Sequence, residues 1–259
     1  MVSIDEPVLN DDGTVVCHEC DETFSRPGYH WSHGSCPHPE LPPDMARLVR
    51  GLMLGDGTLR RHTSNPFVQT YMINDQFLEW LDNELAWLTT GVSLYRTADR
   101  GAELSRNNGD PSADASDYHD VYVMQTRTMP QFSEYESWYD GGNGKRFADD
   151  LTLTPIDMKV WFACDGSLNW DRRYPNASPY ATLGASAELE SPAAVCSMFE
   201  RSTFPHEPRI DSNMIRFSVD ETVDLLEWMG DAPPGFEYKW ALDSLEQYED
   251  LKRAALGDD

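Results

Sequence analysis

Leu48-Val49-Arg50-Gly51-Leu52-Met53-Leu54-Gly55-Asp56-Gly57 closes an apolar run with a small residue, an aspartate and a glycine. Later in the chain Leu153-Thr154-Pro155-Ile156-Asp157-Met158-Lys159-Val160-Trp161-Phe162-Ala163-Cys164-Asp165-Gly166-Ser167 does the same. Around the first stretch, Met45, Leu48, Val49, Leu52 and Met53 follow the i, i+3, i+4, i+7, i+8 stripe of a half-buried helix, with Pro43 and Asp44 suited to its start. In the second, Thr154 is a cap and Pro155 a first helical residue. One such ending is ordinarily a left-handed glycine cap with a solvated aspartate beyond it. Two in equivalent places, 109 residues apart, point further. A carboxylate at a helix C-terminus opposes the macrodipole at a cost of about 0.3–1 kcal/mol, so its repetition implies a use other than stability. Gly51 and Gly55, four apart, allow another helix to approach backbone to backbone. Asp56 and Asp165 would then sit side by side, an arrangement stable near neutrality mainly with a cation between them.

The surroundings of the two stretches also match. After the first, strand-like runs at Thr58–Arg61 and Phe67–Ile73 precede a helix capped by Asn74 and carrying Phe77, Leu78, Leu81, Leu85 and Leu88. Val92–Thr97 and Asp120–Thr126 follow as strands and a short helix near Pro130–Tyr139 closes the unit. Residues 98–119, rich in Gly, Asn, Asp and Ser, are expected as a long mobile loop. After the second, strands near Ser167–Arg172 and Tyr180–Ala185, a helix near Ser191–Arg201, strands near Arg209–Asp211 and Ile215–Val219, and a helix Glu221–Met229 repeat the order. An internal duplication follows, with an N-terminal segment 1–40, a first half 41–150 and a second half 151–259.

At these residues the chain resembles the LAGLIDADG homing endonucleases of the single-chain, two-motif, intron type. The Leu-Thr-Pro entry, the aromatic pair before Asp165-Gly166 and the following Ser167 make the second motif the more specific. The resemblance covers about residues 41–256 and implies an α+β fold of two pseudo-symmetric αββαββα halves, with motif helices at the centre and saddle-shaped antiparallel sheets along DNA. It implies a monomer that makes double-strand breaks in DNA, with Asp56 and Asp165 binding catalytic Mg²⁺. Gly144-Lys145-Arg146 and Glu237-Tyr238-Lys239-Trp240 are similar to the family's pocket-lysine segments, so Lys239 and either Lys145 or Arg146 are candidate catalytic cations. Val160 and Cys164 depart from the family by standing where Gly51 and Gly55 stand in the first motif. A contact looser on one side is expected.

Sheet-borne arginines are candidates for groove contacts: Arg60, Arg61, Arg127, Arg172, Arg173 and Arg216, with Arg96 and Arg209. Guanidinium groups bind guanine bidentately, and Gln69, Gln125 and Asn169 suit adenine. Electrostatics runs against this partner. The 259 residues hold 45 Asp and Glu against 20 Lys and Arg, a net charge of -25, whereas phosphate binding needs a positive face. Only four of the cations are lysines (Lys145, Lys159, Lys239, Lys252), a bias that resembles salt-adapted proteomes, and in molar salt the Debye length falls to about 3 Å. The acidity is therefore expected to be environmental.

Cys17-x2-Cys20-x9-His30-x5-Cys36 has the spacing of a structural Zn²⁺ site of three thiolates and one imidazole, with His33, His38 and His18 as alternates. Phe24 and Trp31 would form the small core of such a module, and Arg26 would add DNA contacts. A 40% hydrophobic composition excludes wholesale disorder. No run approaches the roughly 18–20 apolar residues of a membrane span, and no basic-then-apolar leader opens the chain, so a cytoplasmic protein without a membrane partner is expected. The alternatives to an endonuclease are a non-catalytic DNA-binding regulator on the same fold and an RNA maturase.

Overall fold

A computed structural model describes residues 6–62, 64–139, 145–148, 150–171, 173–174, 177–184, 192–211 and 214–256. The N-terminal segment is a small antiparallel meander, β1 (Val8–Leu9), β2 (Val15–Val16) and β3 (Thr23–Phe24), followed by α1 (Pro27–His33). The first unit then runs α2 (Pro43–Leu54), β4 (Thr58–Arg61), β5 (Pro66–Met72), α3 (Asp75–Leu85), β6 (Thr89–Arg96), α4 (Ala98–Asn107), β7 (Val121–Thr126) and a 3-10 segment Pro130–Tyr139. The second runs α5 (Pro155–Asp165), β8 (Gly166–Asn169), β9 (Tyr180–Gly184), α6 (Pro192–Glu200), β10 (Arg209–Asp211), β11 (Met214–Arg216) and α7 (Val219–Met229). A 3-10 turn Glu237–Trp240 and α8 (Leu245–Leu256) end it.

The two sheets share one topology. One has the order β4-β5-β7-β6, the other β8-β9-β11-β10, all antiparallel. With each unit's strands counted along the chain, both sheets read 1-2-4-3. Side-chain alternation assigns their faces. Val68, Met72 and Met124 in the first sheet, and Leu168, Ala181, Leu183 and Ile215 in the second, point into the core under the helices. Their alternate neighbours form the outer faces.

At the centre α2 packs on α5. A Cβ on Gly51 would stand 2.7 Å from the Val160 Cβ and 2.8 Å from the Asp157 carbonyl, and one on Gly55 only 2.5 Å from the Cys164 Cβ. The expected looseness is absent, because the larger Val160 and Cys164 fill the space their glycine partners leave. Arg50 adds a two-pronged ion pair across the same contact, Nε to Asp157 Oδ1 at 2.8 Å and Nη2 to Oδ2 at 2.6 Å. Asp157 is fully buried, and its Oδ2 also accepts from the Thr154 backbone and hydroxyl, both at 2.7 Å. The capping box that starts α5 is thereby tied to α2.

Two expectations need correction. Residues 98–119 contain α4 and a 3-10 turn Ala115–Asp117, not a structureless loop. Thr97 caps α4 by accepting from the Arg100 N–H at 3.2 Å, Asp120 accepts from the Ala98 N–H at 2.8 Å, and the helix formers Ala, Glu, Leu and Arg outweigh Gly101. The last strand ends at Arg216, because Ser218 and Glu221 form the capping box of α7. The N-terminal segment is also less detached than its size implies, since Trp31 is buried with its ring edge-on to Trp87, 5.7 Å away. Among the described residues, no helix is long and apolar enough to cross a membrane.

Candidate functional site

The α2–α5 contact brings the two Asp-Gly ends together. Asp165 Oδ2 lies 3.6 Å from the position a Cβ would take on Gly55, the residue before Asp56. Cys164 fills the space between, within the field of both aspartates, and burial with those charges holds its thiol far above the usual range. Beneath them two lysines close the helix ends. Lys239 Nζ donates to the carbonyls of Ala163 (2.6 Å) and Phe162 (3.4 Å) in the last turn of α5. Lys145 Nζ donates to Met53 O (2.9 Å) and to Gly55 O at the end of α2. Each lysine thus adds a donor to the carbonyls at the end of its helix and offsets the negative end of a dipole. The same device occurs once per half.

Charge in this cluster is tightly held. Crowding by protein raises the Asp56 carboxyl above its ordinary value, opposed by Lys145 and Lys239, although one side of the residue remains open to solvent. Lys239 is 7% exposed, and burial lowers its ammonium to about 8 against the pull of Cys164, Asp165 and Asp56. Two carboxylates at the neighbouring ends of α2 and α5 are the hard oxygen donors a divalent cation takes. Of the two candidate cations before the second motif, Lys145 reaches the helix end, whereas Arg146 is exposed and its backbone N–H donates to Trp138 O at 2.7 Å. Gly144 lies outside the described residues.

The outer faces are chemically unlike the rest of this acidic chain. Among the described residues, no strand of the first sheet contains Asp or Glu, and the second sheet contains only Asp211. Arg60, opposite Phe67, is on the outer face with Gln69 and Gln125. Arg61 alternates to the other face, where Glu136 binds it and it donates to Ser64 O, so it does not line the face expected of it. In the second sheet Arg216 lies over the Tyr180 ring, 4.3 Å from its centroid, beside an exposed Arg209. Arg127 follows the end of β7 and donates Nε to Trp87 O at 2.8 Å, while Arg173 is bound by Asp171 in the turn after β8. Asn169 is tied to Thr182 Oγ1 at 2.9 Å. Arg172 lies outside the described residues. The edge-on pair Tyr71 and Tyr95, with ring centroids 4.6 Å apart, also occupies this outer face. Sequence inspection for charge alone misses it, though strand alternation with no acid would have marked it.

In the N-terminal segment the ligand atoms of Cys17, Cys20, His30 and Cys36 all lie within 4.8 Å of one another. Local turns assemble them: Asp21, at φ 58°, reverses the chain after Cys20, and Asp21 N donates to Cys17 O at 3.0 Å. His30 stacks flat on Phe24, centroids 3.7 Å apart, with Nε2 3.7 Å from Cys20 Sγ. The alternates are engaged elsewhere, His33 on Tyr29, His38 with Asn65 and Ser32, and His18 against Trp31. Burial would raise the Cys17 thiol, but N–H groups of Glu19, Cys20, Trp31 and His30 bring it down to about 6. Burial and the two neighbouring sulfurs push Cys36 up to about 12. Three sulfurs and one imidazole brought together in this way are the donor set of a soft divalent cation such as zinc.

No family model and no curated protein matches the chain. Among solved structures, the homing endonuclease I-WcaI bound to its DNA recognition sequence aligns over 80% of this chain and 89% of its own, with TM-score 0.62 at 14% identity. The chain has the fold of a homing endonuclease. The LAGLIDADG meganuclease I-CpaMI bound to uncleaved DNA aligns over 83% and 91%, at 10% identity and TM-score 0.39. Within this fold the two aspartates stand at the ends of the two central helices, α2 and α5.

Proposed function

We propose that this chain is a site-specific DNA endonuclease that makes metal-dependent double-strand breaks, each half attacking one strand. The observation that carries the reading is the pairing of Asp56 and Asp165 at adjacent helix ends, each end closed by its own lysine. The shared fold supports it, and so do described strands that carry a single carboxylate in a chain with 45 Asp and Glu. Double-stranded DNA is the partner, and a single chain supplies both half-sites.

Asp56 and Asp165 would hold Mg²⁺, which when bound activates water and stabilises charge on the phosphate. Lys145 and Lys239 fix the helix ends and place positive charge where the leaving oxygen becomes negative. An ammonium near 8 also lets Lys239 give or take a proton near neutrality. Arg60, Arg209 and Arg216 meet the duplex on the outer faces, and a structural Zn²⁺ on Cys17, Cys20, His30 and Cys36 orders the N-terminal segment. The test is direct. Asp56→Asn or Asp165→Asn should abolish double-strand cleavage of DNA carrying the uninterrupted flanks of the encoding gene while retaining binding. Unchanged cutting by either variant overturns the assignment.

A further inference from the structure

Where the N-terminal segment meets the first sheet, a cleft of about 560 Å³ opens, lined among others by Arg26, Tyr29, His62, Thr90, Gln125 and Arg127. Among the described residues that line it none is acidic, although the chain carries 45 Asp and Glu. Its wall continues the outer face of the sheet. By strand alternation Phe67, itself buried, and Gln125 belong to the outer face, opposite the inward Val68, Met124 and Thr126, and Phe67 pairs with the outward Arg60. The cleft also lies at the end of the sheet away from the carboxylates, since β4 begins two residues after Asp56 and runs toward the Arg60–Phe67 pair.

The opposite wall is α1 and the turn before it. A Cβ on Gly28 would contact Thr128 Oγ1 at 3.6 Å, so the helix start is set against the end of β7. Tyr29, 66% exposed, stacks on His33 at 4.3 Å. The next residue, His30, belongs to the Cys/His cluster, which therefore fixes where Arg26 and Tyr29 stand.

We propose that this cleft grips the sugar-phosphate backbone of duplex DNA immediately beyond the stretch lying on the first sheet, lengthening recognition on that side alone. Two guanidinium groups, hydroxyls and amide donors without a carboxylate suit phosphate oxygens, whose contacts set register without reading sequence. Among the described residues the second sheet has no counterpart to the N-terminal segment, so the footprint is asymmetric. The inference rests on the DNA-binding reading given above.

The experiment uses the full zinc-loaded chain and a duplex selected with it from a randomised pool, read by hydroxyl-radical footprinting and by affinity across a salt series. Arg26→Ala combined with Tyr29→Ala should shorten protection on one flank only. Affinity should fall about tenfold and the slope of log K against log salt by about 1, as one phosphate contact is lost. Cut position and the rate at saturating protein should be unchanged. Arg26→Glu alone should produce the same one-sided loss, and zinc content must stay at one per chain in both variants. An unaltered footprint and salt slope in both variants overturns the proposal while leaving DNA binding intact. A pool that yields no protected duplex overturns the DNA-binding reading itself, and this inference with it.

Discussion

Gly51→Ala should destabilise the protein, against the ordinary rule for helices. Alanine in a helix interior is favoured over glycine by about 1 kcal/mol, so at a free position the substitution would raise stability. Here the added methyl would lie 2.7 Å from the Val160 Cβ and 2.8 Å from the Asp157 carbonyl, with the Asp157 Cα at 3.2 Å. None of these is the end of a flexible side chain. Carbon atoms in contact settle near 3.5–4.0 Å, so α2 and α5 must separate by about 1 Å. Overpacking of this kind costs about 1–3 kcal/mol and exceeds the propensity gain. The same displacement stretches the Arg50–Asp157 pair, now 2.8 and 2.6 Å, and moves Asp56 relative to Asp165. A misplacement near 1 Å is worth about 100-fold in rate where geometry governs the reaction. Denaturant unfolding in molar KCl should therefore show a lowered midpoint with an unchanged slope. Cleavage should fall by about two orders of magnitude, with DNA affinity nearly retained because the outer faces are untouched. A midpoint equal to or above that of the unsubstituted protein would refute the close approach on which the site depends.

Arg50→Met leaves the fully buried Asp157 without its cation and should cost about 3–5 kcal/mol, and adding Asp157→Leu should recover part of the loss; a double variant as unstable as the sum of both single changes would contradict this pairing. Burial lowers Lys239 from 10.5 to about 8, so the unfolded chain holds a proton that the native state sheds between those values. Stability of the protein relative to a Lys239→Met variant should accordingly rise from pH 8 toward 10.5 by up to about 3 kcal/mol, and a difference that stays flat or falls would exclude the lowered value. Removal of zinc by a chelator, or Cys36→Ser, should release one zinc per chain, expose Trp31 to solvent and open residues 6–40 to protease while the duplicated core stays folded. Metal analysis of the intact protein that finds no zinc would refute the site.

Local signals foretold much of this architecture because they act within a turn or two of chain. The Thr154–Pro155 entry, the Asn74 cap and the apolar stripe of α2 act through neighbouring backbone groups, and each produced the element expected within a few residues. The spacing of Cys17, Cys20, His30 and Cys36 likewise foretold that four potential ligand atoms would stand close together, although four histidines left the fourth open. Composition misled at residues 98–119. Gly, Asn and Asp there implied a loop, while a cap from Thr97 and packing of Gly101 against Tyr118 held a helix.

What sequence by itself determined was the duplicated order of helices and strands, the pair of Asp-Gly helix ends and the metal-binding spacing near the N-terminus. Tertiary structure decided the rest. It chose Lys145 over Arg146 at the end of α2, turned Arg61 away from the outer face, joined Arg50 to Asp157, and set Trp31 on Trp87 so that a cleft lies beside the first sheet. These pairings link residues far apart in the chain. Periodicity and spacing report only which way a side chain faces within its own element, whereas a long-range contact depends on how two elements pack and on which atoms then come within bonding distance.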